Sequence, residues 1–233
     1  MNDRTQTLAY LDATRGGVAS QEQRHRVLRN TYWLLALSMV PTVLGAWVGV
    51  SSGLLQAMGP GLGLVVFLAG AFGLMFAVEK YKNSAAGVPI LLGFTFFMGL
   101  MLSRLLAVVL SKGNGASLVM LAFGGTAAVF FAMASASTLV KRDLSGLAKF
   151  MLIGVVLLIV AAIANVFVQS GALLVTVSVL AIGIFSFFIL YDLKRVQDGE
   201  ETNYISATLG VYLSLFNVFQ SLLALLGIFG GDD

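Results

Sequence analysis

The sequence predicts an all-α integral membrane protein, a bundle of seven transmembrane helices. Three observations carry that prediction. Hydrophobic residues make up 58% of the 233-residue chain and charged residues only 11%, against about 25% charged in ordinary globular domains. Apolar runs of about 18 to 23 residues recur along nearly the whole chain, each long enough to cross the hydrocarbon core of a bilayer. These runs are apolar on every face rather than alternating, which excludes the roughly ten-residue strands of a membrane barrel and leaves helix as the one state that satisfies the backbone inside lipid.

The polar stretch 1–30 reads as a cytoplasmic tail and 31–233 as the membrane domain. The first span, Tyr32 to Ser52, starts too far into the chain for a cleaved signal peptide and reads as a retained helix. The second, Gly61 to Val78, is set off by the breaker Gly59-Pro60-Gly61, and the third runs from Val88 to Leu110. Gly113-Asn114-Gly115 separates it from the fourth, Leu118 to Val140. The fifth, Phe150 to Val168, and the sixth, Ala172 to Tyr191, are joined by the short turn at Ser170-Gly171, and the seventh covers Thr208 to Phe229. Gly45 with Gly49, and Gly49 with Gly53, have the i, i+4 spacing that lets helix backbones approach closely.

Loop charge sets the expected orientation, since Lys and Arg beside helix ends are retained in the cytoplasm. Of the fourteen Lys and Arg residues, all but Lys112 and Arg104 fall before the first span or in the second-to-third, fourth-to-fifth and sixth-to-seventh loops. The N-terminus is thus expected inside and the C-terminus outside.

The formal charge of +3 is dispersed between apolar runs, which argues against a nucleic-acid partner. With no cysteine and a single histidine, His25, the chain offers no thiolate metal site and little for zinc or Ser/His chemistry. No nucleotide loop or nucleophile-base constellation can be read, so an enzyme is not expected and no resident cofactor is implied.

Ionisable groups inside lipid cost about 2.5 to 3.5 kcal/mol at a helix centre, so each asks for an explanation. Asp192 stands at the end of the sixth span, just before Lys194 and Arg195. It is either an interfacial carboxylate solvated or paired locally, or a buried proton or cation site. Arg104 lies about two turns inside the third span and either snorkels outward or meets a carboxylate in the bundle. Asn165, Gln169, Ser214, Asn217 and Gln220 suit hydrogen bonds between helices or a polar pathway. Glu79 beside Lys80 reads as a solvated pair at the end of the second span, with Glu79 a conceivable partner for Asp192.

The segments His25-Arg26-Val27-Leu28-Arg29-Asn30-Thr31-Tyr32 and Gly199-Glu200-Glu201-Thr202-Asn203-Tyr204-Ile205, followed by Ala207-Thr208, resemble the bacterial YccA branch of the Bax inhibitor-1 family. Phe123-Gly124-Gly125-Thr126-Ala127 and Lys141-Arg142-Asp143-Leu144-Ser145 match the same family's fourth-helix region. The resemblance implies a seven-helix bundle in the bacterial inner membrane, with the C-terminus periplasmic and a polar site between the sixth and seventh helices. It further implies an inner-membrane modulator and slow substrate of FtsH, the membrane AAA+ protease, associated with that protease's HflK/HflC regulators. Other branches act as pH-sensitive calcium leak channels that use an aspartate pair, and for this chain they imply at most transient calcium or proton binding. Asp192, in its Ile-Leu-Tyr-Asp-Leu setting, matches the sixth-helix member, whereas Ser214 stands where the seventh-helix aspartate would be. A leak pathway would then centre on Asp192 with Ser214 and Asn217, gated by Glu79, Lys80 or Arg104. A structural membrane scaffold is the third reading.

Overall fold

The computed structural model describes residues 21–230, all of whose long elements are helices. These are α1 (Gln21–Ser52), α2 (Pro60–Tyr81), α3 (Gly87–Leu110), α4 (Gly115–Leu139), α5 (Ser145–Val168), α6 (Gly171–Asp198) and α7 (Tyr204–Phe229), with one further helical turn at Leu54–Ala57 between α1 and α2. All seven are long and apolar enough to span a bilayer. The spans read from hydropathy sit inside these helices to within a residue or two, but four helices run on past the apolar run. Helix α1 begins at Gln21 rather than Tyr32, α5 at Ser145 rather than Phe150, α6 continues to Asp198, and α7 starts at Tyr204. Hydropathy stops where lipid stops, whereas the backbone hydrogen-bond ladder continues into water until a cap ends it. For α6 that cap is Gly199, at φ 82. At α7, Asn203 accepts from the backbone N–H groups of Ile205 and Ser206.

Burial follows composition in a way peculiar to lipid. Helix α5 has the highest mean hydropathy of the seven and is the least buried, while the three most buried helices, α1, α3 and α7, are among the least hydropathic. Apolar side chains gain nothing by exchanging lipid for protein, so they stay outside, and the polar groups turn inward. Helix α7 is the hub, contacting α1, α2, α3, α4 and α6, whereas α5 leans mainly on α6. Its inner surface is filled by Val211, Tyr212, Phe216, Val218 and Leu223, the rings of Phe94 and Tyr212 meeting edge-on at 6.0 Å.

The most extensive helix pair is α1 with α3, and glycine makes it. A Cβ on Gly45 would strike the carbonyl of Phe96, one on Gly99 the carbonyl of Thr42, and one on Gly49 would lie 2.5 Å from the Ser103 hydroxyl. Gly53 does not extend this seam as its spacing suggested. It has φ 65, meets nothing within 4 Å, and ends α1 instead.

Hydroxyls supply the directional bonds. Thr42 donates to the Ser38 carbonyl at 2.8 Å, and the Tyr212 hydroxyl lies 2.9 Å from Thr42 Oγ1 and 3.4 Å from the Thr95 carbonyl. The hydrogen bond between the Tyr212 and Thr42 hydroxyls ties α7 to α1 in the buried centre.

The end of the bundle that carries Lys80, Lys82, Lys141 and Arg195, here termed the basic end, is closed by a second set of bonds. Asn203 donates to Asn83 at 2.8 Å, Ser206 donates to Glu79 at 2.9 Å, Gln197 donates to Ser137 at 2.8 Å and Arg24 donates to the Gln197 carbonyl at 3.3 Å. At the start of α5, the backbone N–H and hydroxyl of Ser145 both donate to Asp143, which holds that exposed carboxyl below its ordinary range. The anion is the bonded form, so this restraint is complete above about pH 3.9 and is lost as the pH falls through the lowered value.

Gly99→Ala should therefore destabilise the protein by about 1–3 kcal/mol through a clash with backbone that cannot move aside. Gly93→Ala, in the same helix but facing open space, should be neutral. Thermal unfolding in detergent compares the two directly.

Candidate functional site

Asp192 lies on α6 about two turns from its basic end, half-buried, with its carboxylate laid against the bare backbone of α7. A Cβ added at Gly210 would come within 2.7 Å of Asp192 Oδ2 and 3.1 Å of its Cγ. The absence of a side chain at Gly210 is thus what makes room for the acid between the two helices.

The bases that follow Asp192 are engaged elsewhere. Lys194 pairs with Asp198 at 2.7 Å, and Arg195 lies 3.7 Å from Glu200 and 3.9 Å from Glu201. No hydrogen bond or ion pair reaches the Asp192 carboxylate among the described residues. Local pairing with Lys194 or Arg195 is therefore not what the fold provides. Arg195 and Glu201 are the charged groups within electrostatic range.

From Gly210 the same stripe of α7 continues through Ser214, Asn217 and Ser221, at helical steps of four, three and four residues. Ser214 is buried, and Asn217 donates back to the Leu213 carbonyl at 2.8 Å within its own helix. On the facing stripe of α6, one turn deeper than Asp192, Ile189 is fully buried. The acid therefore occupies a gap between α6 and α7 near the basic end, with apolar packing one turn deeper.

The other residues singled out in the sequence fall elsewhere. Glu79 binds Lys82 at 2.7 Å and accepts from Ser206, so it fastens α2 to the start of α7 rather than meeting Asp192 or its neighbour Lys80. Lys80 lies 5.7 Å from the centre of the Tyr81 ring.

Arg104 is near the opposite end, on a cleft of about 400 Å³ lined also by Gly63, Asn165, Gln169 and Gln220. Among the described residues it meets no carboxylate. Asn165 accepts from the backbone N–H of Ser170 rather than bonding across helices. Bonds between helices include those of Tyr212 with Thr42 and of Gln197 with Ser137, side chains that did not stand out in the sequence because single hydroxyls and amides are unremarkable in a membrane helix. Gly210 was equally hidden, as one glycine among 26. Among the described residues no group of three or more His, Cys, Asp or Glu side chains is placed to hold a metal ion.

Comparison with known proteins resolves the kinship of this arrangement. Residues 24–231 match the family model Bax1-I, inhibitor of apoptosis-promoting Bax1. The chain belongs to the Bax inhibitor-1 family. It is 38% identical over 208 residues to the protein of Escherichia coli K12 named modulator of FtsH protease YccA, covering 89% of this chain and 92% of that one. The same identity and coverage hold for the inner membrane protein YccA of Escherichia coli O6:H1. An uncharacterized protein of Pseudomonas aeruginosa is 38% identical over 216 residues, 93% of this chain and 95% of its own. With its seven spans, this member of the family is a multi-pass protein of the inner membrane.

The contact between Asp192 and Gly210 yields a test of its own. Gly210→Ala should lower the unfolding midpoint in the wild-type background, because the new methyl group must displace a carboxylate. It should cost much less beside Asp192→Ala, which removes the obstacle, with a coupling of about 0.5–3 kcal/mol between the two sites. Additive effects in this double-mutant cycle would show that the two residues do not touch.

Proposed function

We propose that this protein binds and restrains the inner-membrane protease FtsH and is itself a slow substrate of it. The single observation that carries the reading is the 38% identity, over 92% of its length, to a protein named as a modulator of that protease. The reading is non-enzymatic, and it extends to association with the HflK/HflC regulators.

It also takes the basic end as cytoplasmic. Placing that end outside would put most of the loop Lys and Arg on the wrong side of the membrane. The polar N-terminal residues then lie on the side from which a cytoplasmic ATP-driven unfoldase pulls. Residues 1–20 are outside the described structure, but the segment that follows them is well anchored. Arg24 bonds to the end of α6, and Val27 packs with Val196 and Ala207. A protease that takes hold of the terminus must strip α1 from its glycine seam with α3 before extraction can proceed. A substrate that is easily gripped and slowly extracted occupies the machine, which is inhibition by mass action.

The test is a pair of measurements in cells that contain FtsH. The full chain should co-isolate with the protease and turn over slowly. Removing residues 1–20 should abolish turnover while leaving the bundle folded. Unchanged degradation of the truncated chain would rule out engagement through that terminus, and failure to co-isolate would remove the reading itself.

A second reading draws on Asp192, a carboxylate without an ion-pair partner among the described residues that lies between α6 and α7 against Gly210. It makes the protein a pH-sensitive calcium or cation leak, with Ser214 and Asn217 along the path. Ser214 supplies a hydroxyl where a like-charged partner would be needed to set a pH response, so this reading ranks second. Calcium flux in proteoliposomes that disappears in Asp192→Asn would promote it. No flux from folded protein at either pH 6 or pH 8 would leave protease restraint, with a passive scaffold as the remaining alternative.

A further inference from the structure

The cleft at the end of the bundle opposite the basic cluster has no part in protease restraint, and it holds Arg104, a candidate gate residue of the leak reading, toward the other end of the bundle from Asp192. Arg104 lies about 25 Å along α3 from Gly87 at 1.5 Å per residue, and its guanidinium crosses α2 at Gly63, where an added Cβ would fall 2.9 Å from Nη1. A residue with any side chain at that position would push the guanidinium aside. Among the described residues Arg104 has no hydrogen-bond or ion-pair partner, although its planar fork carries five donors that suit carboxylate or phosphate oxygens. Lys112, the other basic residue at this end, is by contrast engaged with the Gly230 carbonyl at 3.3 Å.

Three amides share the cleft with Arg104, namely Asn165, Gln169 and Gln220. The Asn165 carbonyl oxygen is taken by the Ser170 backbone, which leaves its NH₂ group as a donor. Gln220 is exposed although α7 is a central helix, because it fronts this space.

Gln169 is the more telling residue. It caps α5 at φ 53 and ψ 36, the left-handed conformation in which helix ends ordinarily carry glycine or asparagine, and among the described residues it is the sole non-glycine with positive φ. The left-handed residue ends α5 as Gly199 ends α6, and with glutamine in that place its amide side chain is delivered to the rim of the cleft. The rest of the cleft wall is apolar and includes Leu64, Phe67, Met101 and Val166.

We propose that this cleft binds a phosphate-bearing anion, with the phosphate on the Arg104 fork and the amide donors of Asn165, Gln169 and Gln220 around it. An anionic phospholipid headgroup and free phosphate share that chemistry. The apolar wall and the volume of about 400 Å³, within the range of small-molecule sites, match the headgroup and first methylenes of a lipid lying between α2, α3 and α5.

The experiment uses the full chain, purified and delipidated in neutral detergent, with thermal unfolding followed as short-chain phosphatidylglycerol, phosphatidylcholine or inorganic phosphate is added. Phosphatidylglycerol should raise the midpoint by about 5–10 °C near hundredfold saturation. The shift should vanish in Arg104→Gln and survive in part in Arg104→Lys. Gln169→Gly separates this site from a merely structural rim: it should melt higher than wild type without ligand, through relief of the left-handed strain, yet lose at least half of the lipid-induced shift. A shift reproduced by inorganic phosphate alone assigns the site to a free anion, and one that needs the glycerolipid assigns it to membrane lipid. Equal shifts in wild type and folded Arg104→Gln, or equal shifts from zwitterionic phosphatidylcholine, would overturn the proposal and leave Arg104 as a side chain reaching for the membrane surface.

Discussion

A bilayer withholds from its proteins the force that assembles soluble ones. Leucine against leucine is no better than leucine against lipid, so the bundle must cohere through what lipid cannot offer: close backbone contact and hydrogen bonds. Helices α1 and α3 approach through Gly45, Gly49 and Gly99 until side chains would collide with carbonyl groups. Helix α7 is tied into that pair by the Tyr212 hydroxyl on Thr42. The rest of the architecture rests on this three-helix centre. Helices α4 and α6 pack on α7, and α5, with the most apolar surface, remains at the periphery where lipid suits it.

The same constraint places both polar sites. A carboxylate can sit between α6 and α7 because Gly210 leaves a gap there, and a guanidinium can lie across α2 because Gly63 does the same. In each case the charged group and the glycine that admits it lie on different helices. The two sites lie toward opposite ends of the bundle and differ in sign. Their neighbours differ too: the acid has apolar packing one turn deeper, while the base looks onto amides and an open cleft.

This division explains what could be read in advance. The number of spans and their approximate limits were legible, since a lipid-facing surface must be apolar over a fixed length. The glycine seam at Gly45 and Gly49 was legible from spacing, but Gly53 obeys the same spacing and serves as a helix stop, because spacing alone does not say where the helix ends. Asp192 and Arg104 stood out because charges in apolar runs are rare. Their surroundings did not: Gly210 and Gly63 look like any other glycine, and the expected link from Glu79 to Asp192 gives way to bonds with Lys82 and Ser206. The extensions of α1, α5, α6 and α7 beyond the predicted spans were invisible to hydropathy, since those turns are held by caps and polar contacts. Family membership was legible because three of the four matching motifs lie in polar segments at the basic end, where identity is not swamped by generic apolar residues.

The central functional claim is that a protein anchored so firmly at its basic end holds FtsH by being slow to extract. The most direct measurement is the lifetime of a second, independent membrane substrate of FtsH in cells that carry this protein in excess, compared with cells that lack it. The account predicts a longer lifetime in its presence, with a smaller effect when Gly99→Ala loosens the α1–α3 seam and makes extraction easier. A lifetime that does not change, while the protein accumulates folded in the inner membrane, would contradict it.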